Sequence, residues 1–304
     1  MTLVLSLITE SWAIQVSDRR LVWLRPRGKI LRKDDERNKA VLWCNRLSFS
    51  YTGLAQLGPK REATDEWLTR EIAEWSESHG GGEQSQDALI AAIMSRADLA
   101  MKRPLIARLT PELKRHAFAG VGWARFDGAG EMVPYIVRMQ NHWEGSDTVA
   151  DEFRYSIERL PSVDNPLAVT WIGQELGEER ALLEDLRKGN PASREYGPYA
   201  AKVLAGIVRA VADRNEFVGR GLLISALPRW AIHPGSTETL LLSSGPSWDE
   251  LTFLHLPSDD DDPVWRGPLY VCGGSQIKNF EAWVPSEDEK REMDEVIKRR
   301  SQSL

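Results

Sequence analysis

The chain has 304 residues, 42% apolar and 28% charged, with a formal net charge of -6 and a mean hydropathy of -0.39. No apolar run approaches the roughly 18 residues that span a bilayer as a helix, and the acidic balance argues against a duplex nucleic-acid binder. Its two cysteines, Cys44 and Cys272, lack paired spacing and read as buried thiols, and its five histidines are scattered, so neither a metal site nor a cofactor is expected.

In chain order, residues 2–8 and 12–16 are short apolar segments separated by Thr9-Glu10-Ser11, and 20–24, 40–43 and 47–52 continue a strand pattern. Between them, Arg25, Arg27, Lys29, Arg32 and Lys33 read as a solvated loop or a basic patch. After Gly58-Pro59, the apolar residues Trp67, Leu68, Ile72 and Trp75 recur at helical spacing, predicting a helix over residues 60–77. Past Gly80-Gly81-Gly82, the residues Leu89, Ile90, Ile93, Met94, Ala97 and Met101 predict a second, with Ser85 as its N-cap.

Residues 116–125 and 132–139 then flank Asp127-Gly128-Ala129-Gly130, a hairpin composition without the strand-to-helix context of a nucleotide fingerprint. A strand at 168–172, helices at 175–187 and 199–213, and a buried strand at 222–227 follow. Short strands at 240–242, 251–256 and 269–272 come next. The run Asp259-Asp260-Asp261-Asp262 reads as an exposed loop, and the charged tail after Pro285 as a surface helix or disorder. Strand groups alternating with helix groups predict an α+β layered fold of two stacked antiparallel sheets with helices outside. We divide it into a domain over 1–235 and a C-terminal extension over 236–304. The first residues lack a basic n-region and meet Glu10 and Asp18-Arg19-Arg20 early, so a cytoplasmic location is expected.

The chemistry lies at the start. Removal of Met1, which a small second residue permits, would leave Thr2 carrying both a hydroxyl and an α-amine, so that nucleophile and base share one residue. An α-amine has a reference pKa of roughly 7.7–8.0, and a nearby cation would depress it enough to take the hydroxyl proton at working pH. Such a site needs that cation and a carboxylate to orient it, for which Lys39 and Asp18 are the candidates.

Thr2-Leu3-Val4-Leu5-Ser6, Ser17-Asp18-Arg19-Arg20, Lys39-Ala40-Val41-Leu42-Trp43 and Phe49-Ser50-Tyr51-Thr52-Gly53 together resemble the opening strands of proteasome β subunits and their bacterial relatives. Asp18 stands 16 residues after Thr2 (18 − 2), and Gly53 stands 14 after Lys39 (53 − 39), both as in that family. The lysine lies later than usual, so an insertion near 32–37 is implied, with Lys33 as the competing choice. The resemblance implies a four-layer αββα sandwich of the N-terminal-nucleophile (Ntn) hydrolase type. It makes Thr2 the nucleophile, has Asp18 fix Lys39, has Lys39 tune the amine, and assigns the Gly53 N–H to a tetrahedral oxyanion. One such donor contributes on the order of 10²–10³ in rate. Arg20 matches a further basic position.

Active members carry supporting polar side chains where this sequence has Gln174, Asn215 and Val218, with Asp213 or Glu216 as substitutes under a shifted register. Two readings therefore stand. One is a threonine-type amidohydrolase acting on a peptide or small amide. The other is a catalytically inactive scaffold or binding protein. The resemblance also implies a homo-oligomeric ring, in which Trp67 and Trp75 would fill either the core or a subunit contact. Neither a nucleic acid nor a membrane is expected as a partner.

Overall fold

The computed structural model describes residues 2–24, 29–35, 37–44, 46–79, 86–124, 132–142, 148–159 and 166–229, and then the short segments 253–256, 264–266, 269–272, 275–277 and 281–283. Six strands open the chain: β1 (Leu3–Thr9), β2 (Trp12–Asp18), β3 (Leu21–Leu24), β4 (Ile30–Asp34), β5 (Ala40–Trp43) and β6 (Leu47–Thr52). Helices α1 (Thr64–Ser78) and α2 (Gln86–Met101) follow, then the single turns α3 (Pro104–Ala107) and α4 (Pro111–Lys114). The chain continues through β7 (Ala117–Ala124), β8 (Val133–His142), β9 (Val149–Arg159) and β10 (Leu167–Gly173). A 3₁₀ segment over Glu178–Lys188 leads to α5 (Tyr196–Arg214) and β11 (Leu222–Pro228). Beyond it lie β12 (Phe253–Leu256), β13 (Val264–Arg266), β14 (Leu269–Cys272), β15 (Ser275–Ile277) and β16 (Glu281–Trp283).

These elements make a mixed α/β molecule with few helices. One sheet runs β10-β1-β2-β11-β12, entirely antiparallel. A second runs β15-β14-β5-β6-β7-β8-β9, antiparallel except where β14 meets β5. The strands β3 and β4 form a separate ribbon, as do β13 and β16.

Alternation along each strand divides its side chains between two environments. In β1, Leu3, Leu5 and Leu7 pack with Tyr196, Ala200, Leu204 and Val208 of α5, whereas Val4 meets Ala117 and Ala119, and Ile8 meets Val121 and Trp123, of β7. In β6, Leu47, Phe49 and Tyr51 join Trp67, Leu68 and Ile72 of α1 and Ile90 and Ile93 of α2. Ser48, Ser50 and Thr52 are the intervening residues of β6, and all three are buried. Every residue of β1 and β2 is buried, including the polar Ser6, Gln15, Ser17 and Asp18.

The contact between the sheets carries a polar centre. Gln15 of β2 donates from Nε2 to Ser6 Oγ (3.2 Å) and to the Ala119 carbonyl (3.1 Å), and its Oε1 accepts from Ser48 Oγ (3.1 Å) and Ser50 Oγ (2.8 Å). An amide side chain offers two donors and two acceptor positions, and all are filled. A polar network satisfied in this way fixes how one sheet lies over the other. Gln15→Leu removes these partners at once and is expected to lower stability by about 2–4 kcal/mol. Urea unfolding with an unchanged slope and a lower midpoint would register this; an unshifted midpoint would mean that water or neighbours replace the amide.

Several expectations are revised. The strand β9 is absent from the sequence reading, although Phe153, Tyr155 and Ile157 alternate along it. Among the described residues it pairs with β8 alone, and the charged residues Arg154 and Glu158 suit an edge. Part of the basic stretch forms β4 rather than a loop, with the Arg32 guanidinium 5.0 Å from the Trp23 ring centre. The helix expected over 175–187 is a 3₁₀ segment whose Asp185 and Leu186 carbonyls accept the hydroxyls of Tyr199 (2.5 Å) and Tyr196 (2.8 Å). Trp67 and Trp75 are buried within this chain's own core. Cys44 is only half-buried, because it sits in a left-handed turn (φ 48°) at the end of β5. Ser85, the 127–130 turn, the 240–242 strand, the Asp259–262 run, the tail and the Cys272 side chain lie outside the described residues.

Candidate functional site

Thr2 immediately precedes β1, and Asp18 closes β2. The β1–β2 register, with Val4 opposite Ser17, brings the two ends of this hairpin together. Leu3 N–H then donates to Asp18 Oδ2 at 2.8 Å. Lys39 enters from the residue before β5. Its Nζ lies 2.6 Å from Thr2 Oγ1 and 3.2 Å from Asp18 Oδ1, and it also donates to the Arg20 carbonyl. An ammonium has three N–H bonds, and three acceptors meet it. Lys39 and Asp18 are fully buried, and Thr2 is 5% exposed.

Burial pushes the Lys39 ammonium below its ordinary value of 10.5, against the opposing pull of Asp18. Asp18 is well supplied with donors: besides Lys39, its Oδ1 accepts from Arg20 N–H (2.9 Å) and Gly219 N–H (3.2 Å). The guanidinium of Arg20 points elsewhere, to Asp35 and to the carbonyls of Glu216 and Val218. Lys33, the competing lysine, pairs with Glu216 at 3.1 Å on an exposed face, and Asp213 pairs with Arg220.

The main chain of Thr2 is held from two sides. Its carbonyl accepts from Gln174 N–H at 3.0 Å, just past Gly173, whose φ of +97° lets the backbone approach so closely that a Cβ there would lie 1.8 Å from that oxygen. From the other side, Thr52 Oγ1 lies 3.2 Å from Thr2 N and 3.4 Å from Thr2 O. Gly53 follows Thr52 with φ +107°, crossing over the Arg115 carbonyl and His116. Among the described residues nothing accepts the Gly53 N–H. The next amide, Leu54 N–H, donates to His116 Nδ1 at 3.0 Å. Burial pushes His116 down to about 3, so its ring stays neutral and keeps that lone pair at ordinary pH.

The structure thus brings Lys39 into direct contact with both Thr2 and Asp18 and sets Gly53 beside Thr52. A hydroxyl, a buried ammonium and a buried carboxylate in one chain of hydrogen bonds can lower the cost of forming an alkoxide.

No family model matches the chain, and no curated protein matches it. Among solved structures, it aligns with Anbu (ancestral beta-subunit) from Yersinia bercovieri at 13% identity, covering 75% of this chain and 81% of that one, with a TM-score of 0.44. A mutant of Anbu from a Hyphomicrobium species aligns at 11% identity over 100% and 98% of the two chains, with a TM-score of 0.45. The assignment to proteasome β subunits read from the opening strands is corrected accordingly. Without a family or curated match, and with structural likenesses this weak, the chain is not placed in that family, and the site rests on its own geometry.

Several contributors escaped the sequence reading. The Arg20 carbonyl, the Gly219 and Gln174 N–H groups and the Gly173 backbone act through main-chain atoms, which carry no residue signature. Thr52 was legible only as a strand residue. At the positions noted as departures, Asn215 turns its Oδ1 to Phe217 N–H (2.9 Å), and Val218 is buried beside Gly219, which supplies the Asp18 contact through its backbone. Among the described residues no helix is long and apolar enough to cross a membrane, and no metal-binding cluster of His, Cys, Asp or Glu is present.

Proposed function

We propose that this chain is an amidohydrolase whose nucleophile is the Thr2 hydroxyl, acting on a peptide or small amide once the preceding residue has been removed. The observation that carries the reading is the buried contact of Lys39 Nζ with Thr2 Oγ1 at 2.6 Å, backed by Asp18. We take the architecture as a four-layer αββα sandwich, supported by the packing of α5 on β1 and β2 and of α1 and α2 on β5 and β6.

In the proposed reaction, Thr2 Oγ1 attacks the substrate carbonyl carbon while its proton passes to the freed α-amine. Lys39 steadies the developing alkoxide through its hydrogen bond. The carbonyl π pair moves to oxygen, with the Gly53 N–H as the assigned donor to that oxyanion. Collapse breaks the C–N bond, the leaving amine takes the proton back from the Thr2 ammonium, and an ester remains on Thr2. Water, giving a proton to the same amine, then hydrolyses the ester.

The pH profile follows from two groups. Activity rises as the α-amine loses its proton, at or below its reference value of roughly 7.7–8.0 because the Lys39 charge is close. It falls as Lys39 loses its own proton, and burial sets that limb below 10.5. A bell is expected; a rate still climbing beyond 10.5 would contradict the role given to Lys39.

Intact mass gives the mature N-terminus, and a β-lactone that acylates hydroxyl nucleophiles gives the reactive residue. A single adduct on Thr2, lost in Thr2→Ala, is expected. A blocked Thr2 nitrogen, or amide hydrolysis by Thr2→Ala at the parent rate, would overturn the proposal. A free Thr2 amine that resists acylation would favour the inactive scaffold.

A further inference from the structure

Two of the three side chains noted as departures, Asn215 and Val218, do no work on the Thr2 nitrogen. One is occupied with Phe217 N–H, and the other is apolar. The group that does touch that nitrogen comes from another sheet. Resting on the reading of Thr2 as nucleophile, we propose that the Thr52 hydroxyl is the positioning group for the Thr2 amine, through its contacts with Thr2 N and Thr2 O.

The argument starts from β6. Thr52 is its last residue, and it follows Ser48 and Ser50 at every second position. Those two hydroxyls meet Gln15 of β2, so this side of β6 faces the other sheet, and the same alternation turns Thr52 toward the start of β1. Thr52 is 3% exposed. Its Oγ1 lies 3.2 Å, as acceptor, from Thr2 N, a peptide N–H that becomes the α-amine on removal of Met1, and 3.4 Å from Thr2 O as donor. A hydroxyl has one proton to give and lone pairs to receive, so both contacts are made at once. A β-branched side chain has few χ1 wells, which limits where the oxygen can point.

The consequence concerns the protonated amine. When the amine takes the Oγ1 proton it becomes an ammonium, and one of its N–H bonds points at Thr52 Oγ1. The ammonium is thereby stabilised, opposing the nearby charge of Lys39, and the remaining directions of the nitrogen are turned toward Thr2 Oγ1 and the leaving group. Thr52 therefore sets both the basicity and the aim of the base. The hydroxyl also ties this amine to the chain that continues directly into Gly53, so base and oxyanion donor move together.

Thr52→Val keeps the shape and removes the oxygen, whereas Thr52→Ser keeps the oxygen. In full-length protein with a free Thr2 amine, Thr52→Val is expected to slow β-lactone acylation of Thr2 about tenfold or more, the weight of one hydrogen bond to a charged group. The amine titration, followed by NMR on [¹⁵N]threonine-labelled protein, is expected to move about one unit lower. Thr52→Ser restores both, which a purely structural defect would not do, and Thr52→Ala replaces Thr52→Val if the latter fails to fold. Acylation of Thr52→Val at the parent rate with an unmoved titration overturns the positioning role and leaves the hydrolase reading intact. A parent that never acylates, but whose amine titration depends on Thr52, overturns the hydrolase reading and leaves the positioning role. A nitrogen still blocked in the mature protein overturns both.

Discussion

Replacing Lys39 with methionine is expected to abolish acylation of Thr2, with a loss of about 10³-fold or more, and to destabilise the fold in the same stroke. The chemical loss follows because Lys39 is the one charged group in contact with Thr2 Oγ1 among the described residues, at 2.6 Å. The stability loss has a separate origin. Asp18 would keep the N–H donors of Leu3, Arg20 and Gly219, yet remain a fully buried carboxylate without its cation. Breaking a buried ion pair from one side costs about 3–5 kcal/mol.

The double change Lys39→Met with Asp18→Asn separates the two effects. It is expected to regain much of the melting temperature while acylation stays lost, since the uncompensated charge is gone but the hydroxyl is still unassisted. Full activity in either variant would remove Lys39 from the mechanism. There is a pH signature as well. Because the folded chain holds Lys39 below 10.5, the unfolded chain binds more protons between the folded value and 10.5, so this group makes the protein more stable as pH rises through that window. Lys39→Met is expected to erase that alkaline increment.

Gly173→Ala is expected to have the second-largest effect. This residue ends β10 opposite Leu3, in a conformation (φ +97°) that side chains rarely adopt, and strain of this kind costs about 1–3 kcal/mol. The added methyl would also lie 1.8 Å from the Thr2 carbonyl oxygen and 3.0 Å from Thr52 Oγ1. Neither neighbour can yield without moving the residue that carries the nucleophile. A displacement of about 1 Å in a reacting group costs on the order of 10² in rate. The expected outcome is a folded but less stable protein whose acylation falls about a hundredfold, seen as a lower melting temperature together with a slower labelling rate. Unchanged labelling would mean that β10 can retreat from Thr2 and that its close approach is incidental to the site.

The local part of the site was open to reading because it depends on short-range periodicity. A hairpin from Leu3 to Asp18 places residues 2 and 18 side by side whatever the rest of the chain does, and a lysine just ahead of an apolar strand is visible as a candidate cation. The strand and helix order was similarly legible where apolar residues recur strongly, as in β1, α1 and α5. It failed at β9, an edge strand half covered with charge, and over 178–188, where turns of three residues replace turns of 3.6.

By itself, then, the sequence determined that a hydroxyl and a carboxylate would meet near the start of the chain, because local hairpin geometry decides that, and it offered Lys39 and Lys33 as rival cations. Only the tertiary structure decided which lysine joins them and which groups surround them: Lys39 from just ahead of β5 in the other sheet, Thr52 from 50 residues away, Gly219 from 201, the Gly173 turn and the Arg20 carbonyl. The physical reason is that one strand-end threonine, or one backbone amide, is chemically like any other until packing of the two sheets places it within hydrogen-bond distance of Thr2 or Asp18.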